Sequence, residues 1–172
     1  MVRGAQQERV LPVYDASAFV GLQTIVYNAA IQWQEDDGEV SIELPKLPEL
    51  AAAAAISRCL MPAKLRGAEI KAIRRIMNLT LVDLAEALDG RPETISRWES
   101  EAQPMGAYAE KVLRLLACEE LKDDAPGISY DARRIAHLSL SKGQPPAVEL
   151  QLVHLKQDSG AVVEVWNAKL AA

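Results

Sequence analysis

Length, composition and cysteine content exclude several classes of protein. The chain has 172 residues, 49% of them hydrophobic and 25% charged, which suits one globular domain or two small ones. No run of ~18 apolar residues is present to cross a membrane, and residues 1–12 lack the apolar core of a signal peptide. Cys59 and Cys118 belong to no Cys-x-x-Cys pair. We therefore expect reduced, semi-buried thiols, no metal site and a cytoplasmic location.

The net charge of −5 is distributed unevenly along the chain. Residues 1–57 carry −5, residues 58–98 carry +3 and residues 99–172 carry −3. A positive segment between acidic flanks favours contact with nucleic acid at one surface and repulsion elsewhere. Contacts with phosphates are therefore expected within residues 58–98.

The N-terminal part of the chain predicts a β-hairpin. Residues 1–21 show no regular pattern and are expected to be irregular. From Leu22 to Trp33 apolar and polar residues alternate, residues 35–38 form a turn signal, and the alternation resumes over residues 40–44.

A second hairpin is predicted near the C-terminus. Apolar residues alternate within 148–155 and recur within 162–166, on either side of a turn signal at 157–160. Lone hairpins are only marginally stable in water. We therefore expect both hairpins to pack on helices, or to join in one sheet within the chain or between two chains.

The middle of the chain shows helical periodicity and carries one informative stretch, Leu79–Glu101, which predicts two short helices joined by a tight turn. Thr80 is a suitable N-cap, and Asp83 three residues later completes a capping box. Gly90 can adopt the positive φ that often ends a helix, and Pro92 suits the first turn of the second helix. Other helices are predicted at 48–60, 67–78, 106–121 and 130–138, the last capped by Ser129.

The second short helix is predicted to have one buried side and one polar side. Ile95 and Trp98 are three residues apart and share the face that should turn inward. The residues on its outer side are then Glu93, Ser96, Arg97 and Ser100.

This stretch resembles the helix-turn-helix of the XRE (Cro/CI-type) DNA-binding family. The segments Thr80-Leu81-x-x-Leu84-Ala85 and Thr94-Ile95-Ser96-Arg97-Trp98-Glu99 carry the resemblance, which extends over about residues 65–121. The family usually has a DNA-contacting Gln directly after the Thr that opens the first motif helix, whereas this chain has Leu81. The resemblance also implies a semi-buried ion pair between Arg74 and Glu99.

The resemblance implies that the second motif helix lies in the major groove of DNA. Arg97 is the expected base reader, because its planar fork matches guanine O6 and N7. Glu93 is expected to accept a hydrogen bond from a cytosine amino group or to hold the Arg97 side chain in place. The alternative is that Arg97 is a surface residue paired with Glu93 or Glu101. Phosphate contacts are expected at the groove edge. The predicted DNA-binding residues are Thr80, Arg91, Glu93, Thr94, Ser96, Arg97 and Ser100.

The predicted fold class is α+β, with a central all-α helix-turn-helix domain flanked by an N-terminal and a C-terminal β-hairpin. The predicted domains are 1–47, 48–122 and 123–172. The expected function is a sequence-specific DNA-binding transcriptional regulator, a repressor that binds an inverted-repeat operator as a homodimer.

An antitoxin or adaptor whose hairpins bind a partner protein is the alternative. A hairpin placed before the helix-turn-helix is similar in layout to MqsA-type antitoxins. That family holds zinc in its N-terminal domain with two Cys-x-x-Cys pairs, and residues 1–57 contain neither cysteine nor histidine.

No pattern of residues predicts an enzyme. His137 and His154 are the only histidines and lie on different predicted elements. The glycines form no Gly-x-Gly loop for a phosphate, and neither histidine is part of a metalloprotease motif. We expect no catalytic residue and no cofactor.

Overall fold

A computed structural model describes residues 7–169 and contains helices and strands in an α+β arrangement. No helix in this range is long and apolar enough to span a membrane. The strands are β1 (Gln7–Val10), β2 (Val13–Asp15), β3 (Thr24–Tyr27), β4 (Ile31–Gln34), β5 (Val40–Glu43), β6 (Val148–Lys156) and β7 (Val162–Ala168). The helices are α1 (Ser17–Val20), α2 (Leu47–Cys59), α3 (Gly67–Ile76), α4 (Leu81–Ala87), α5 (Pro92–Glu99), α6 (Ala107–Leu121) and α7 (Ala132–Ala136).

The N-terminal strands form one long ladder that bends from one sheet into another. Strand β1 pairs antiparallel with β4, and β2 pairs antiparallel with β3. The ladder bends between these two pairs, where the Asn28 N–H donates to Pro12 O at 3.0 Å. Asn28 has φ +50°, which interrupts the single alternating strand predicted from Leu22 to Trp33. The expectation that residues 1–21 are irregular is wrong at β1, β2 and α1, because the two short strands find partners in β4 and β3; residues 1–6 lie outside the described residues.

Both predicted hairpins are confirmed, and they lie in different sheets. The β4–β5 hairpin belongs to a three-stranded sheet in the order β1-β4-β5, and the β6–β7 hairpin to a four-stranded sheet in the order β2-β3-β6-β7. The hairpins do not pair with each other. Instead β3 pairs parallel with β6, with Val26 opposite Leu150, so backbone hydrogen bonds join the two ends of the chain. The domain boundaries at 47/48 and 122/123 stay a prediction.

Helix α2 lies at the centre of the structure. It contacts α1, α3, α6, β6 and β7, and the residues Ala52–Ile56 are almost completely buried. Small alanine side chains suit this position, because they let neighbouring elements approach on several sides at little cost in side-chain entropy. The alanine-rich composition of α2 therefore reflects burial on nearly all faces rather than one amphipathic stripe.

Two buried arginines hold the loop that leaves α2. Arg114 on α6 is fully buried and donates to the carbonyl oxygens of Cys59, Met61 and Ala63 at 2.8, 2.6 and 2.7 Å. Its charge is paired with Glu110, one turn earlier on α6, at 2.8 Å. Glu110 Oε1 also accepts from the Leu65 N–H at 2.8 Å. This cluster satisfies backbone groups that would otherwise be buried without partners.

Arg58 anchors the same loop from the other side. It is 2% exposed and donates to Ala63 O at 2.9 Å and to Lys64 O at 3.1 Å. Its guanidinium pairs with both oxygens of Glu69, at 2.6 and 2.9 Å. Glu69 Oε2 in turn accepts from the Arg66 N–H at 2.8 Å, which satisfies one amide at the start of α3. The loop and the first turn of α3 are thereby tied to α2.

The two cysteines are more buried than expected. Cys59 and Cys118 have no exposed surface and are both free, so the prediction of semi-buried thiols is wrong about their exposure. The pKa of the Cys59 thiol is raised well above its ordinary value, mainly by a hydrogen bond with Cys118 and to a lesser extent by burial. Cys59 therefore behaves as a protonated core side chain.

The C-terminal helix begins later than predicted. Asp131, not Ser129, caps α7, since its carboxylate accepts from the Arg133 N–H at 2.9 Å. An Asp at this position caps as well as a Ser, and Ser129 lies in the irregular segment before the helix.

We predict that Arg114→Ala destabilises the fold strongly. Removing one partner of a buried ion pair leaves the other charge uncompensated, which costs ~3–5 kcal/mol. The carbonyls of Cys59 and Met61 also lose the Arg114 donor, whereas Ala63 O keeps the one from Arg58. Urea unfolding followed by circular dichroism measures the loss. The matched control is Lys122→Ala, because Lys122 pairs with Glu119 on the exposed surface. A loss in Arg114→Ala no larger than in Lys122→Ala would contradict this account of the loop.

Candidate nucleic-acid interface

The first helix of the motif, α4, begins with a complete capping box. Thr80 Oγ1 accepts from the Asp83 N–H at 3.1 Å, and Asp83 Oδ2 accepts from the Thr80 N–H at 2.7 Å. Thr80 Oγ1 also lies 2.7 Å from Asp83 Oδ2, so its hydroxyl hydrogen is donated within the box. These hydrogen bonds lower the pKa of Asp83 below its ordinary value. The predicted cap is confirmed, and the Thr80 hydroxyl is already engaged.

The turn between the motif helices differs from its prediction in one residue. Asp89 has φ +51°, whereas Gly90 does not adopt a positive φ. Gly90 N donates to Ala85 O at 2.8 Å, which closes the end of α4. The short polar side chain of Asp tolerates the left-handed region, so the glycine is not required there. Arg91 then caps α5, and Pro92 stands in its first turn as predicted.

Helix α5 separates its buried and polar residues as the sequence indicates. Ile95 is fully buried and Trp98 is half-buried against the core. Thr94 is half-buried between the two sides of the helix. The outer face of the motif, including the cap of α5, exposes Arg91, Glu93, Ser96, Arg97 and Ser100.

Arg97 is available for a contact outside the protein. Within residues 7–169 no ion pair involves Arg97, Arg91 or Glu93. The alternative of Arg97 paired with Glu93 or Glu101 is therefore not found in this part of the chain. Ser100 is less free, since its hydroxyl donates to Arg97 O at 3.3 Å at the end of the helix.

The structure brings Arg74 and Glu99 together. Arg74 Nε and Nη2 donate to the two oxygens of Glu99 at 2.5 and 3.1 Å, with side-chain exposures of 10% and 9%. Arg74 Nη1 also donates to Leu79 O at 2.9 Å. The hydrogen bond with Glu99 raises the pKa of Arg74 above its ordinary value. One guanidinium thus joins the end of α5 to the residue that precedes α4.

The two ends of α3 are both fixed against α5. A Cβ atom on Gly67, the first residue of α3, would lie 2.3 Å from Glu99 O, so the backbones touch and no larger residue fits. Because Arg74 near the other end of α3 also contacts Glu99, the C-terminal end of α5 is held against α3.

Part of the positive charge predicted to face DNA is buried instead. Arg58 and Arg74 are 2% and 9% exposed and each is paired with a glutamate. They therefore support the helices and cannot reach phosphates. The exposed cations of the positive segment are Arg66, Lys71, Arg75, Arg91 and Arg97.

Neither histidine lies in a reactive cluster. His154 contacts Glu164 on the exposed β6–β7 hairpin at 2.9 Å, and His137 is exposed at the end of α7. Over the range that the structure describes, no group of three or more His, Cys, Asp or Glu residues could hold a metal ion.

Comparison with known proteins identifies the motif. Residues 70–121, about a third of the chain, match the helix-turn-helix family model. This match confirms the resemblance of the segment to the XRE-type helix-turn-helix and supports a DNA-binding regulator of that type. No curated protein and no solved structure matches the chain.

We predict that Glu99→Ala clearly lowers thermal stability. Arg74 would remain buried without its carboxylate, which costs ~3–5 kcal/mol in a buried pair and only ~0–1 kcal/mol in an exposed one. DNA affinity should fall only through the loss of folded protein. Glu86→Ala on the exposed side of α4 is the matched control. A Glu99→Ala variant that melts with the parent would show that the pair contributes nothing.

A second prediction concerns the pH dependence of the capping box. Because the folded state lowers the pKa of Asp83, its carboxylate adds stability fully above the ordinary pKa of 3.8, and this stability is lost as pH falls through the lower folded value. Asp83→Asn should therefore be less stable than the parent at neutral pH, and the difference should close in acid. Urea midpoints over a pH series measure it. A difference that stays constant with pH would contradict the role of the charge.

Proposed function

We propose that the chain is a sequence-specific transcriptional repressor that binds an inverted-repeat operator as a homodimer in the cytoplasm. The observation that supports this most directly is the unpaired, exposed Arg97 on a helix whose buried side is fixed by α3. A positioned cation without an internal partner is the type of group that contacts bases or phosphates.

The N-terminal half of α5 is proposed to enter the major groove. Arg97 would donate from its planar fork to guanine O6 and N7, a pairing that neutral side chains cannot reproduce. Glu93, one turn earlier and also exposed, would accept from a cytosine amino group or orient Arg97. Ser96 would contact the neighbouring base edge.

Residues around this helix are proposed to contact the DNA backbone. Arg91 is exposed at the cap of α5, and Thr94 follows it at the groove edge. Ser100, at the far end of the helix, is assigned a weaker contact because its hydroxyl already has a partner. Thr80 is assigned the weakest contact of the set, since its hydroxyl and its backbone N–H are both used in the capping box.

A dimer is proposed because one helix-turn-helix reads too few base pairs for useful specificity. Two copies on half-sites ~34–36 Å apart would place both recognition helices on one face of the duplex. An operator with inverted symmetry follows from a two-fold axis between the copies.

An adaptor or antitoxin function is the second candidate, and the sheets are the observation that favours it. The edge strands β1, β5 and β7 expose Val10, Val40 and Val162 at 51, 54 and 63%. Open strand edges with apolar side chains can pair with a strand of another protein. This binding would be compatible with repression.

We predict that Arg97→Ala lowers affinity for the selected operator by roughly 1–3 kcal/mol and relaxes preference at one base position, because a bidentate base contact is lost. The operator is first selected from random duplexes. Fluorescence anisotropy then compares the selected duplex with a scrambled duplex over a salt series.

Arg91→Ala is the matched control for this experiment, since Arg91 is also an exposed, unpaired arginine of the motif. It should weaken binding to both duplexes about equally and flatten the salt dependence, as expected for a phosphate contact. If Arg97→Ala leaves the ratio of the two affinities unchanged, α5 does not read bases through this residue.

The dimer makes a separate prediction. Light scattering at micromolar concentration should give twice the monomer mass for the complex with the selected duplex, after subtraction of the DNA. A single copy per duplex, together with a monomer in the absence of DNA, would contradict the proposed assembly.

A further inference from the structure

A shallow groove lies between the start of α4 and the first two turns of α5. Its volume is about 450 Å³, and its lining comprises Leu81, Pro92, Glu93, Ser96 and Arg97. Three of these residues are the ones proposed to face base edges. The groove therefore opens on the side of the motif that would face DNA.

The lining of this groove is partly hydrocarbon. Leu81 is half-buried, with part of its side chain packed against the core and part left in the groove, and Pro92 also lines it. Neither side chain has a hydrogen-bond donor or acceptor. The other three lining residues, Glu93, Ser96 and Arg97, carry charged and hydroxyl groups. A base pair in this groove would thus meet both polar groups and hydrocarbon.

Only one group on the major-groove edges of the bases matches the hydrocarbon in this lining. Guanine, cytosine and adenine present nitrogen or oxygen atoms there, whereas thymine adds a C5-methyl group. Polar edges pressed against Leu81 would lose water without gaining a hydrogen bond, which is unfavourable. The thymine methyl would instead be removed from water by the contact, which is favourable.

We propose that Leu81 is a specificity-determining residue that, together with Pro92, selects a thymine beside the base pair read by Arg97. This inference rests on the proposed function and adds a residue to it. Leu81 lines the same groove as Arg97, so the two side chains would contact adjacent base pairs of one half-site.

The test removes one methyl group at a time from the DNA. In the selected operator each thymine of a half-site is replaced by deoxyuracil, which lacks only the C5-methyl and keeps every hydrogen-bonding atom. The parent protein should bind the operator about fourfold more weakly when one particular thymine is replaced, which corresponds to ~0.8 kcal/mol for a buried group of this size. The same replacement in both half-sites should cost about fifteenfold if the contributions add.

The protein variant then identifies the contact. Leu81→Ala should bind the thymine and deoxyuracil operators equally, since the side chain that contacts the methyl is gone. Val82→Ala is the matched control, because Val82 is 52% exposed on the same turn and does not line the groove. It should keep the fourfold difference. Each comparison is a ratio within one variant, so a general loss of stability or affinity in Leu81→Ala cancels.

Three results would overturn the inference while leaving the proposed function intact. They are a half-site selected without thymine, an operator insensitive to every deoxyuracil replacement, and a deoxyuracil penalty that persists in Leu81→Ala. Failure to select any duplex from the random pool is a different outcome. It would overturn the proposed function and, with it, the role of Leu81.

Discussion

The loop between α2 and α3 is buried at Ala63 and Leu65, and carbonyl groups without donors would be costly there. Arg114 is the side chain that meets this constraint, since it is fully buried and donates to three carbonyls of the loop, from Cys59 to Ala63. A lysine could not replace it, because only a guanidinium has enough donors in a fixed plane. Glu110 neutralises the charge of Arg114 and accepts a hydrogen bond from the Leu65 N–H. The loop and α6 are therefore joined by one hydrogen-bonded network inside an apolar core.

The same chemistry continues outward from the loop to α5, the proposed recognition helix. Glu69 links Arg58 to the start of α3, and Arg74 near the end of α3 holds Glu99 at the end of α5. Two arginine–glutamate pairs therefore join α2 to α3 and α3 to α5, while the pair within α6 holds the loop that leaves α2. Among residues 7–169 this frame leaves Arg97 without an ion-pair partner on the outer face of a helix whose C-terminal end is anchored to α3. Anchoring of this kind reduces the entropy lost on binding. The structural pairs also explain why the positive segment offers DNA fewer cations than its composition indicates.

Local signals made the motif and the hairpins predictable, whereas contacts distant in sequence were not. The capping box at Thr80 and the turns of both hairpins depend on residues a few positions apart, and the structure confirms them. Strands β1 and β2 were missed because they are short and exposed, and only pairing with β4 and β3 defines them. The parallel ladder of β3 with β6 pairs residues 24–27 with residues 148–151, and no pattern among neighbouring residues of the sequence indicates such a distant pairing. The buried charges had one readable signal: Glu110 and Arg114 stand four apart, on the face of α6 that also carries Leu113 and Ala117.

We propose that α5 and the start of α4 form the surface that meets DNA, and that the buried arginine–glutamate pairs hold this surface without touching DNA. Amide chemical shifts of the ¹⁵N-labelled protein, recorded by TROSY NMR with and without the selected operator duplex, test this residue by residue. Large changes are expected within residues 80–83 and 91–97, with the strands of both sheets nearly unaffected. Changes concentrated in β1, β5 or β7 while α5 stays unperturbed would contradict it.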